Sequence, residues 1–334
     1  MAPLSFTRAV LTYFLASFLG GWVALHCREL AALTPAPSLR HSSVRGANHS
    51  EAPAPAVAVV EALARAVDKL ARAVEAPAAK AAAPAVAAVV EAPASVAGLA
   101  SAADACYHVY LDLGTNTGVQ FHKLYDPDSL PAGEVSAIIP KFDHFFGSDT
   151  AARLTDVCGF GFEPNPSHQN ILRQTTAHYI AAGARLAIFE SAVGTFAGWG
   201  TVVSDGAYEH NEWGAQIVPV PANNPTPAGA VHVVDIAAWF EANIRHRQRP
   251  PQDGRAQPPA LVVKIDIEGM DESVMGKLFA SGALCTMDYV YIEQHVRPDV
   301  LDFFVRELRA SGCTTVLEFM DDEAHHTFKP AWMQ

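Results

Sequence analysis

From about residue 105 onward, short apolar runs alternate with segments of helical spacing, and this alternation limits the possible folds more than any other feature of the chain. The apolar runs cover residues 108–114, 157–166, 185–194, 261–269, 287–295 and 314–319. The helical segments cover residues 118–125, 168–183, 271–282 and 299–312. Alternating strands and helices are typical of a mostly parallel sheet with helices on both faces. We therefore predict an α/β domain over residues 105–334.

Polar side chains stand at the ends of these predicted strands: Asp112, Glu163, Ser191, Asp266, Glu268 and His295. In open α/β sheets, ligands bind in the crevice outside the carboxyl ends of the strands. The pattern therefore predicts a single site at this edge of the sheet. Two long insertions, residues 126–156 and 195–259, interrupt the alternation, and insertions at this edge often shape a substrate pocket.

The predicted turn after the first strand has the sequence DLGTNTG, residues 112–118. Glycines at 114 and 118 let the backbone approach a ligand closely, because neither carries a Cβ. The spacing is neither the G-x-G-x-x-G of dinucleotide-binding proteins nor that of a P-loop, which needs a Lys-Ser/Thr pair. The motif therefore argues against a pyrophosphate and favours a ligand such as an adenosyl amino acid, unless the turn is only structural.

Glu163 ends the second predicted strand, within the sequence GFEPNP. A carboxylate at this position can accept hydrogen bonds from both hydroxyls of a ribose. The acid follows the first strand at more than the usual distance of about 20 residues, which we assign to the insertion at 126–156. The alternative is a surface acid in front of the Pro164-Asn165-Pro166 turn.

The elements VYLDLGTNTG, GFEPNP, ESAVG and VVKIDIEGMDESVM occur in this order and are followed by YIEQH. Together they resemble the FkbM-like methyltransferase family over roughly residues 105–320. The resemblance implies a Rossmann-like class I methyltransferase fold, S-adenosylmethionine as the methyl donor, and O-methylation of a hydroxyl acceptor such as a sugar. The insertions and the MDDEAHHT segment depart from the family pattern and leave the acceptor open.

The resemblance also implies roles for single residues. The donor-binding set that it implies comprises Asp112, Gly114, Asn116, Gly118, Glu163, Asn165, Ser191 and Ala192. Within this set Glu163 resembles the ribose-binding acid, and Ser191 and Ala192 are expected near the adenine. Asp266 and Glu268 resemble the acids that face the methyl group and the acceptor.

Methyl transfer to an alcohol needs a base, because a hydroxyl is a poor nucleophile until its proton is removed. His295, at the end of the fifth predicted strand, is the first candidate, and Asp266 is the second. The alternative for His295 is a polar strand end that hydrogen-bonds a neighbour. Lys264 lies among apolar residues, and we expect it to reach a carboxylate or water rather than to take part in catalysis.

The five cysteines are scattered along the chain: Cys27, Cys106, Cys158, Cys285 and Cys313. No pair has C-x-x-C spacing, and no Cys/His cluster has the spacing of a zinc site. We therefore predict no disulfide framework and interpret Cys158 and Cys313 as small buried apolar residues. We also predict no metal site, because adjacent residues such as His325 and His326 rarely point the same way in a strand.

An uncharged apolar run, AVLTYFLASFLGGWVAL, covers residues 9–25. Its length falls within the range of roughly 17 to 25 residues found for membrane-spanning helices. We predict a short cytosolic tail at residues 1–8 and an uncleaved signal-anchor at residues 9–26. A cleaved signal peptide and an organelle transit peptide are the alternatives.

Residues 27–104 are dominated by Ala, Pro and Val and form a predicted stem, because such a composition cannot build a core. Asn48 opens an N-glycosylation sequon, which fits a lumenal stem. Heptad spacing over residues 60–74 favours weak homodimerisation, unless this Ala-rich segment forms helix weakly or not at all. We therefore predict a single-pass membrane protein that faces the Golgi or ER lumen, with an organelle-targeted or secreted protein as the alternatives.

The formal net charge of −12 argues against a nucleic-acid partner, since proteins that bind nucleic acids usually carry a basic surface. The favoured hypothesis is a membrane-anchored O-methyltransferase that acts on a hydroxylated small molecule or a glycan. One alternative is a catalytically inactive, methyltransferase-like scaffold that keeps the pocket for binding. A dinucleotide-dependent oxidoreductase is disfavoured because the glycine fingerprint is missing.

Overall fold

The computed structural model describes residues 101–132, 134–203, 214–221, 223–293 and 296–320, together with residues 322, 324, 325, 328, 330 and 332. The predicted cytosolic tail, signal-anchor and stem lie outside the described residues, and so do the sequon at Asn48, the heptad segment and His295. None of the helices in the described part of the chain is long and apolar enough to cross a membrane.

The described residues form strands and helices in alternation. The strands are β1 (His108–Leu113), β2 (Val157–Phe162), β3 (Arg185–Phe189), β4 (Ser191–Gly194), β5 (Gly198–Val203), β6 (Gln216–Pro219), β7 (Val231–Asp235), β8 (Leu261–Ile265), β9 (Tyr289–Ile292) and β10 (Val316–Phe319). The helices are α1 (Val119–Tyr125), α2 (Ile139–Phe146), α3 (Thr150–Asp156), α4 (Gln169–Ala181), α5 (Ile236–Phe240), α6 (Asp271–Ala280) and α7 (Pro298–Ala310). A π-helical turn (Glu241–Arg245) extends α5, and short 3-10 turns cover Pro127–Ser129 and Leu284–Thr286.

Six strands form one parallel sheet in the order β3-β2-β1-β8-β9-β10. The sequence order of the strands reverses between β1 and β8, which makes this boundary the switch point where open α/β sheets bind ligands. The prediction of an α/β, Rossmann-like domain with a mostly parallel sheet is confirmed at this level.

The repeat of glycine and phenylalanine in β2 explains how helices cover both faces of the sheet. A Cβ on Gly159 would lie 2.8 Å from the Phe121 ring, and one on Gly161 would lie 3.0 Å from it, so only glycine lets α1 pack this closely. The alternate residue Phe162 points to the opposite face, where its ring contacts Trp239 of α5 edge-on. The period of two in a strand therefore assigns one face to α1 and the other to α5.

The prediction of one strand over residues 185–194 is wrong. The chain leaves the parallel sheet after β3, and β4 then pairs with β7 in a separate sheet of order β4-β7-β5-β6. No glycine or proline marks the break between Phe189 and Ser191. The break depends on the pairing of β4 with β7, about forty positions further along the chain. The local apolar pattern does not indicate this pairing.

The prediction that the cysteines form no disulfide framework is also wrong. Cys106 bonds to Cys158 with a Cα–Cα distance of 5.7 Å, and Cys285 bonds to Cys313 with a Cα–Cα distance of 5.1 Å. Cys158 lies opposite Val109 in the β1–β2 pairing, which brings it beside the residues that lead into β1. Strand pairing across 52 residues creates this neighbourhood, so inspection of the cysteine spacing alone could not find it.

Candidate functional site

A cavity of about 200 Å³ lies at the carboxyl ends of the parallel strands, around the switch point between β1 and β8. The predicted site residues that line it are Gly114, Asn116, Glu163, Asn165, Ala192, Asp266 and Glu268. They come from the loops after β1, β2 and β8 and from β4, which are far apart in sequence. The structure thus brings most of the predicted residues to one place.

Three of the predicted residues do not line this cavity. Asp112 is fully buried within β1, Ser191 is buried at the start of β4, and Gly118 lies at the N-terminal end of α1. Gly118 has a φ of 87°, and a Cβ there would lie 3.1 Å from the Leu172 side chain, so this glycine permits helix packing. His295, the first candidate for the base, lies outside the described residues.

The turn after β1 is held against the loop after β8. Gly114 has a φ of 86°, and a Cβ there would lie 1.6 Å from the backbone oxygen of Asp266. The backbone N–H groups of Gly114 and Thr115 both donate to the carbonyl oxygen of Phe162, at 3.1 and 3.0 Å. These contacts fix the turn between its two neighbouring strands and leave Asn116, with a φ of 50°, at the cavity.

Glu163 joins the loops that follow β1 and β2. The Asn116 N–H donates to Glu163 Oε2 at 2.7 Å, and the Asn165 N–H donates to Oε1 at 2.8 Å. The ring of His168 is also near, with Nδ1 3.7 Å from Oε1. An ionised carboxylate offers about four acceptor positions, so these bonds leave room for ribose hydroxyls. The position of Glu163 is compatible with binding of a ribose, and this role stays a prediction.

The loop after β8 presents Glu268 to the cavity. The buried carboxylate of Asp271 accepts the Ile267 N–H at 3.0 Å and the Gly269 N–H at 3.2 Å, so it holds the backbone on both sides of Glu268. Glu268 itself has a φ of 46°. A non-glycine residue in the left-handed region costs about 1–3 kcal/mol and persists where the surroundings enforce it, often at functional sites.

Lys264 connects the two strands at the switch point. Its Nζ donates to Asp266 Oδ2 at 2.7 Å and to the Gly114 carbonyl oxygen at 2.9 Å, and it lies 3.8 Å from Asp112 Oδ1. Burial lowers the pKa of Lys264, but the carboxylates of Asp266 and Asp112 raise it above its ordinary value, so the side chain stays charged. The expectation that Lys264 pairs with a carboxylate is confirmed.

Asp112 lies beneath the cavity rather than in its wall. Neither of its carboxylate oxygens has a hydrogen-bond partner among the described residues. Burial raises the pKa of Asp112 to about 7, the Lys264 ammonium opposes this shift, and the charges of Asp266 and Glu163 add to it. These two charges act on Asp112 because Glu163 and Asp266 directly follow β2 and β8, the two strands that pair with β1.

Asp266, Glu268 and Glu293 form an acidic cluster in the cavity wall. Each offers one carboxylate oxygen, and these oxygens all lie within 4.8 Å of one another. Glu293 is not among the residues predicted from the sequence, although it follows directly after the buried strand β9, as Glu163 follows β2. An acid after a buried strand is the signal that could have found it.

Asp322 in the C-terminal segment also lines the cavity, but its carboxylate is occupied by structural donors. Oδ2 accepts from Lys123 Nζ at 3.1 Å and from Ser136 Oγ at 2.9 Å, while Oδ1 accepts the Ala137 N–H at 3.0 Å. These bonds tie the segment after β10 to α1 and to the residues before α2. Met320 and Asp322 thereby form part of the cavity wall.

The remaining wall is apolar and comes from the second sheet. Ala192 and Val193 of β4 and Ile217 of β6 line the cavity, and Ile217 packs on a small cluster around Val233. The 195–259 insertion therefore shapes the pocket, as expected from its position in the sequence. The site combines an apolar wall with an acidic one, which suits a ligand that has both an apolar and a cationic part.

No protein-family model, curated protein or solved structure matches this chain. The resemblance of its motifs to the FkbM-like methyltransferases therefore stays a prediction. The cavity and its residues are the observations from which a function can be inferred.

Proposed function

We propose that this chain is an S-adenosylmethionine-dependent O-methyltransferase whose donor binds in the cavity between the turn after β1 and Glu163. One observation carries the proposal. The close-approach turn at Gly114 and the strand-end acid Glu163, linked through the Asn116 N–H, flank the same cavity at the switch point. This is the place where an open α/β sheet binds a nucleoside-bearing ligand.

The charges around the cavity favour this donor over a dinucleotide. The acids that line it are Glu163, Asp266, Glu268, Glu293 and Asp322. Lys264 is the one lysine or arginine among the described lining residues, and it is already paired with Asp266. A pyrophosphate would meet like charges here, whereas the sulfonium and ammonium groups of S-adenosylmethionine would meet opposite ones.

The proposed reaction is an in-line displacement. A base takes the proton of the acceptor hydroxyl, the oxygen bonds to the donor methyl carbon, and the sulfur–methyl bond breaks to leave a thioether. Because the donor is already activated, the main task of the protein is to align the acceptor oxygen. Asp266 and Glu268 line the cavity where this step is proposed, and His295 remains the first candidate for the base.

The two disulfides support a lumenal placement of this activity, since disulfides persist in oxidising compartments. We propose that residues 9–26 anchor the chain in a Golgi or ER membrane and that the acceptor is a hydroxyl of a glycan or a related metabolite. The Ala/Pro-rich stem would then hold the domain away from the membrane surface.

Calorimetric titration of the full-length chain with S-adenosylmethionine, S-adenosylhomocysteine and NAD tests the donor. We expect both adenosyl ligands to bind and NAD not to bind. Glu163→Gln should weaken S-adenosylmethionine binding, because one carboxylate charge and its acceptor capacity are lost. Glu190→Gln is the matched control, since Glu190 pairs with Arg173 at the surface. Binding of NAD alone would reject the proposal.

Methyl transfer from labelled donor to a pool of glycans tests the chemistry. His295→Ala should lower turnover while donor affinity is nearly kept, because the base acts on the acceptor rather than on the donor. Donor binding without transfer to any hydroxylated acceptor would instead favour the catalytically inactive scaffold.

A further inference from the structure

Asp112 is a buried acid that the proposed reaction does not use. Its carboxyl group lies within β1 with no exposed surface, and neither oxygen has a hydrogen-bond partner among the described residues. A carboxylate without hydrogen bonds is costly inside a protein, because burial disfavours the charged form. Burial accordingly raises the pKa of Asp112 to about 7, so this acid keeps its proton in slightly acidic solution.

Lys264 links this acid to the wall of the cavity. Its Nζ lies 3.8 Å from Asp112 Oδ1 and 2.7 Å from Asp266 Oδ2. Asp112 and Lys264 are direct neighbours in the pairing of β1 with β8, whereas Lys264 and Asp266 both line the cavity. A single side chain therefore separates Asp112 from the charges of the cavity wall.

The elements packed against Asp112 surround it with titratable and charged groups. These are Lys264 and Asp266 at the end of β8, Glu163 after β2, Lys123 on α1, and the hydroxyls of Tyr110 and Tyr291 from β1 and β9. Beyond the effect of burial, the two lysines lower the pKa of Asp112, and the carboxylates of Asp266 and Glu163 raise it. Charges in the cavity wall thus act on Asp112, and a cation placed among them would favour its ionised form.

We propose that binding of S-adenosylmethionine in the cavity releases the proton of Asp112, so that donor affinity rises as Asp112 ionises. For its ligand, this inference rests on the proposed function. The donor has a sulfonium and an ammonium group against a single carboxylate, so it brings positive charge to the wall that contains Asp266 and Glu163. The proton moves from the Asp112 carboxyl to the buffer, and no other bond forms or breaks.

Removal of water by the donor acts in the opposite direction, but it is the smaller effect. Asp112 has no exposed surface before the donor binds, so the donor can take little further water from it. Lys264 does not release the proton in its place. Burial lowers the pKa of Lys264 by less than the carboxylates of Asp266 and Asp112 raise it, so the ammonium stays charged. The ionised Asp112 therefore keeps a cation beside it.

Calorimetry counts the protons. The full-length chain is titrated with S-adenosylmethionine in buffers of different ionisation enthalpy, and the dependence of the observed heat on that enthalpy gives the protons released per donor bound. We expect most of one proton to be released at about pH 6, where Asp112 is protonated, and little at about pH 8, where it is already ionised. S-adenosylhomocysteine lacks the sulfonium charge and should release fewer protons.

Asp112→Asn cannot ionise and should lose this release. Relative to this variant, the wild type should gain at least about fivefold in donor affinity between about pH 6 and pH 8, the lower end of usual coupling between sites. The amino group of the donor contributes equally to both proteins and cancels in the comparison. Asp302→Asn, an exposed position on α7, is the matched control and should release as many protons as the wild type.

His168 is the other group at the cavity that can titrate near neutral pH. Its Nδ1 lies 3.7 Å from Glu163 Oε1, so the donor could act on it as well. His168→Gln should keep the proton release that Asp112→Asn loses. The reverse pattern would assign the proton to His168 and overturn the inference.

Infrared difference spectroscopy of the wild type gives a reading that does not depend on the folding of a variant. A protonated carboxyl group has a C=O stretching band that a carboxylate lacks. Addition of the donor at about pH 6 should remove such a band, and isotope-labelled aspartate should shift it, which assigns it to an aspartate side chain.

Donor binding without proton release, or release that persists in Asp112→Asn, would reject the inference and leave the proposed function intact. An unchanged carboxyl band on donor binding would do the same. A chain that binds no adenosyl ligand at either pH would reject both the inference and the proposed function.

Discussion

Asp112 lies inside the parallel sheet, where burial raises the pKa of its carboxyl from 3.8 to about 7. Its two neighbours across the sheet are Gly161, which has no side chain, and Lys264, whose Nζ is 3.8 Å away. Ionisation of this one buried acid should therefore make the stability of the domain depend on pH.

The pH dependence of stability should reveal this acid. The folded chain holds the Asp112 proton up to about pH 7, whereas the unfolded chain releases it near pH 3.8. The folded state therefore binds more protons in this window, and the contribution of Asp112 to stability falls by about 1.4 kcal/mol per pH unit as the pH rises. Asp112→Asn cannot ionise, so its stability relative to wild type should rise between pH 5 and pH 7.

Chemical denaturation of both proteins at several pH values measures this difference. His108 and His122, whose pKa values burial lowers to about 4, affect both proteins alike and cancel in the comparison. Asp302→Asn, an exposed position on α7, provides the control and should show a flat difference. A flat difference for Asp112→Asn as well would mean that this acid ionises normally in the fold.

At the scale of elements, the site depends on two turns that touch. The turn after β1 and the loop after β8 approach so closely that the Cβ of any residue at position 114 would overlap the backbone of Asp266. Lys264 Nζ reinforces the contact by donating to the Gly114 carbonyl oxygen. The two loops therefore act as one unit that positions Asn116 on one side and Glu268 on the other.

Gly114→Ala tests this contact between the turns. The Cβ would lie 1.6 Å from the Asp266 oxygen, so we expect about 1–3 kcal/mol of overpacking in addition to about 1–2 kcal/mol for the left-handed backbone. Gly183→Ala is the control, because Gly183 has a φ of 103° and no neighbour within 4 Å of the added Cβ. Urea midpoints of the full-length variants give both losses, and equal losses would contradict the close contact.

At the scale of the whole molecule, two disulfides connect segments that are distant in the chain. The Cys106–Cys158 bond joins the residue before β1 to β2, and the Cys285–Cys313 bond joins the segments that follow α6 and α7. Each bond lies within one half of the parallel sheet, the first beside β1 and β2 and the second before β9 and β10. Their presence is also the main support for the proposed lumenal compartment.

Thiol counting tests the disulfides directly. The chain has five cysteines, of which the two disulfides use four, so the denatured, unreduced protein should show one free thiol and the reduced protein five. Replacing Cys106 and Cys158 together by serine should destabilise the fold by about 4 kcal/mol, because a long loop is no longer closed in the unfolded chain. Five free thiols before reduction would contradict both the disulfides and the argument for an oxidising compartment.

Local pattern was enough to predict much of the fold and part of the site. The strands and helices of the parallel sheet could be predicted because apolar residues recur about every two positions in a strand and about every 3.6 positions in a helix. The acids Glu163 and Asp266 could be placed at one edge, because parallel strands all end on the same side of a sheet. These predictions needed no knowledge of which distant segments meet.

The rest depended on tertiary contacts that no local pattern records. Because β4 pairs with β7, it lies in a different sheet from β3. The pairing of β1 with β2 brought Cys106 to Cys158. The full burial of Asp112, and the meeting of Asp266 with Glu293 in one cluster, likewise arise from side-by-side packing of strands far apart in sequence. The sequence by itself determined which elements form and in what order, because those depend on short-range periodicity. The tertiary structure alone decided which side chains share a cavity, because that depends on long-range pairing.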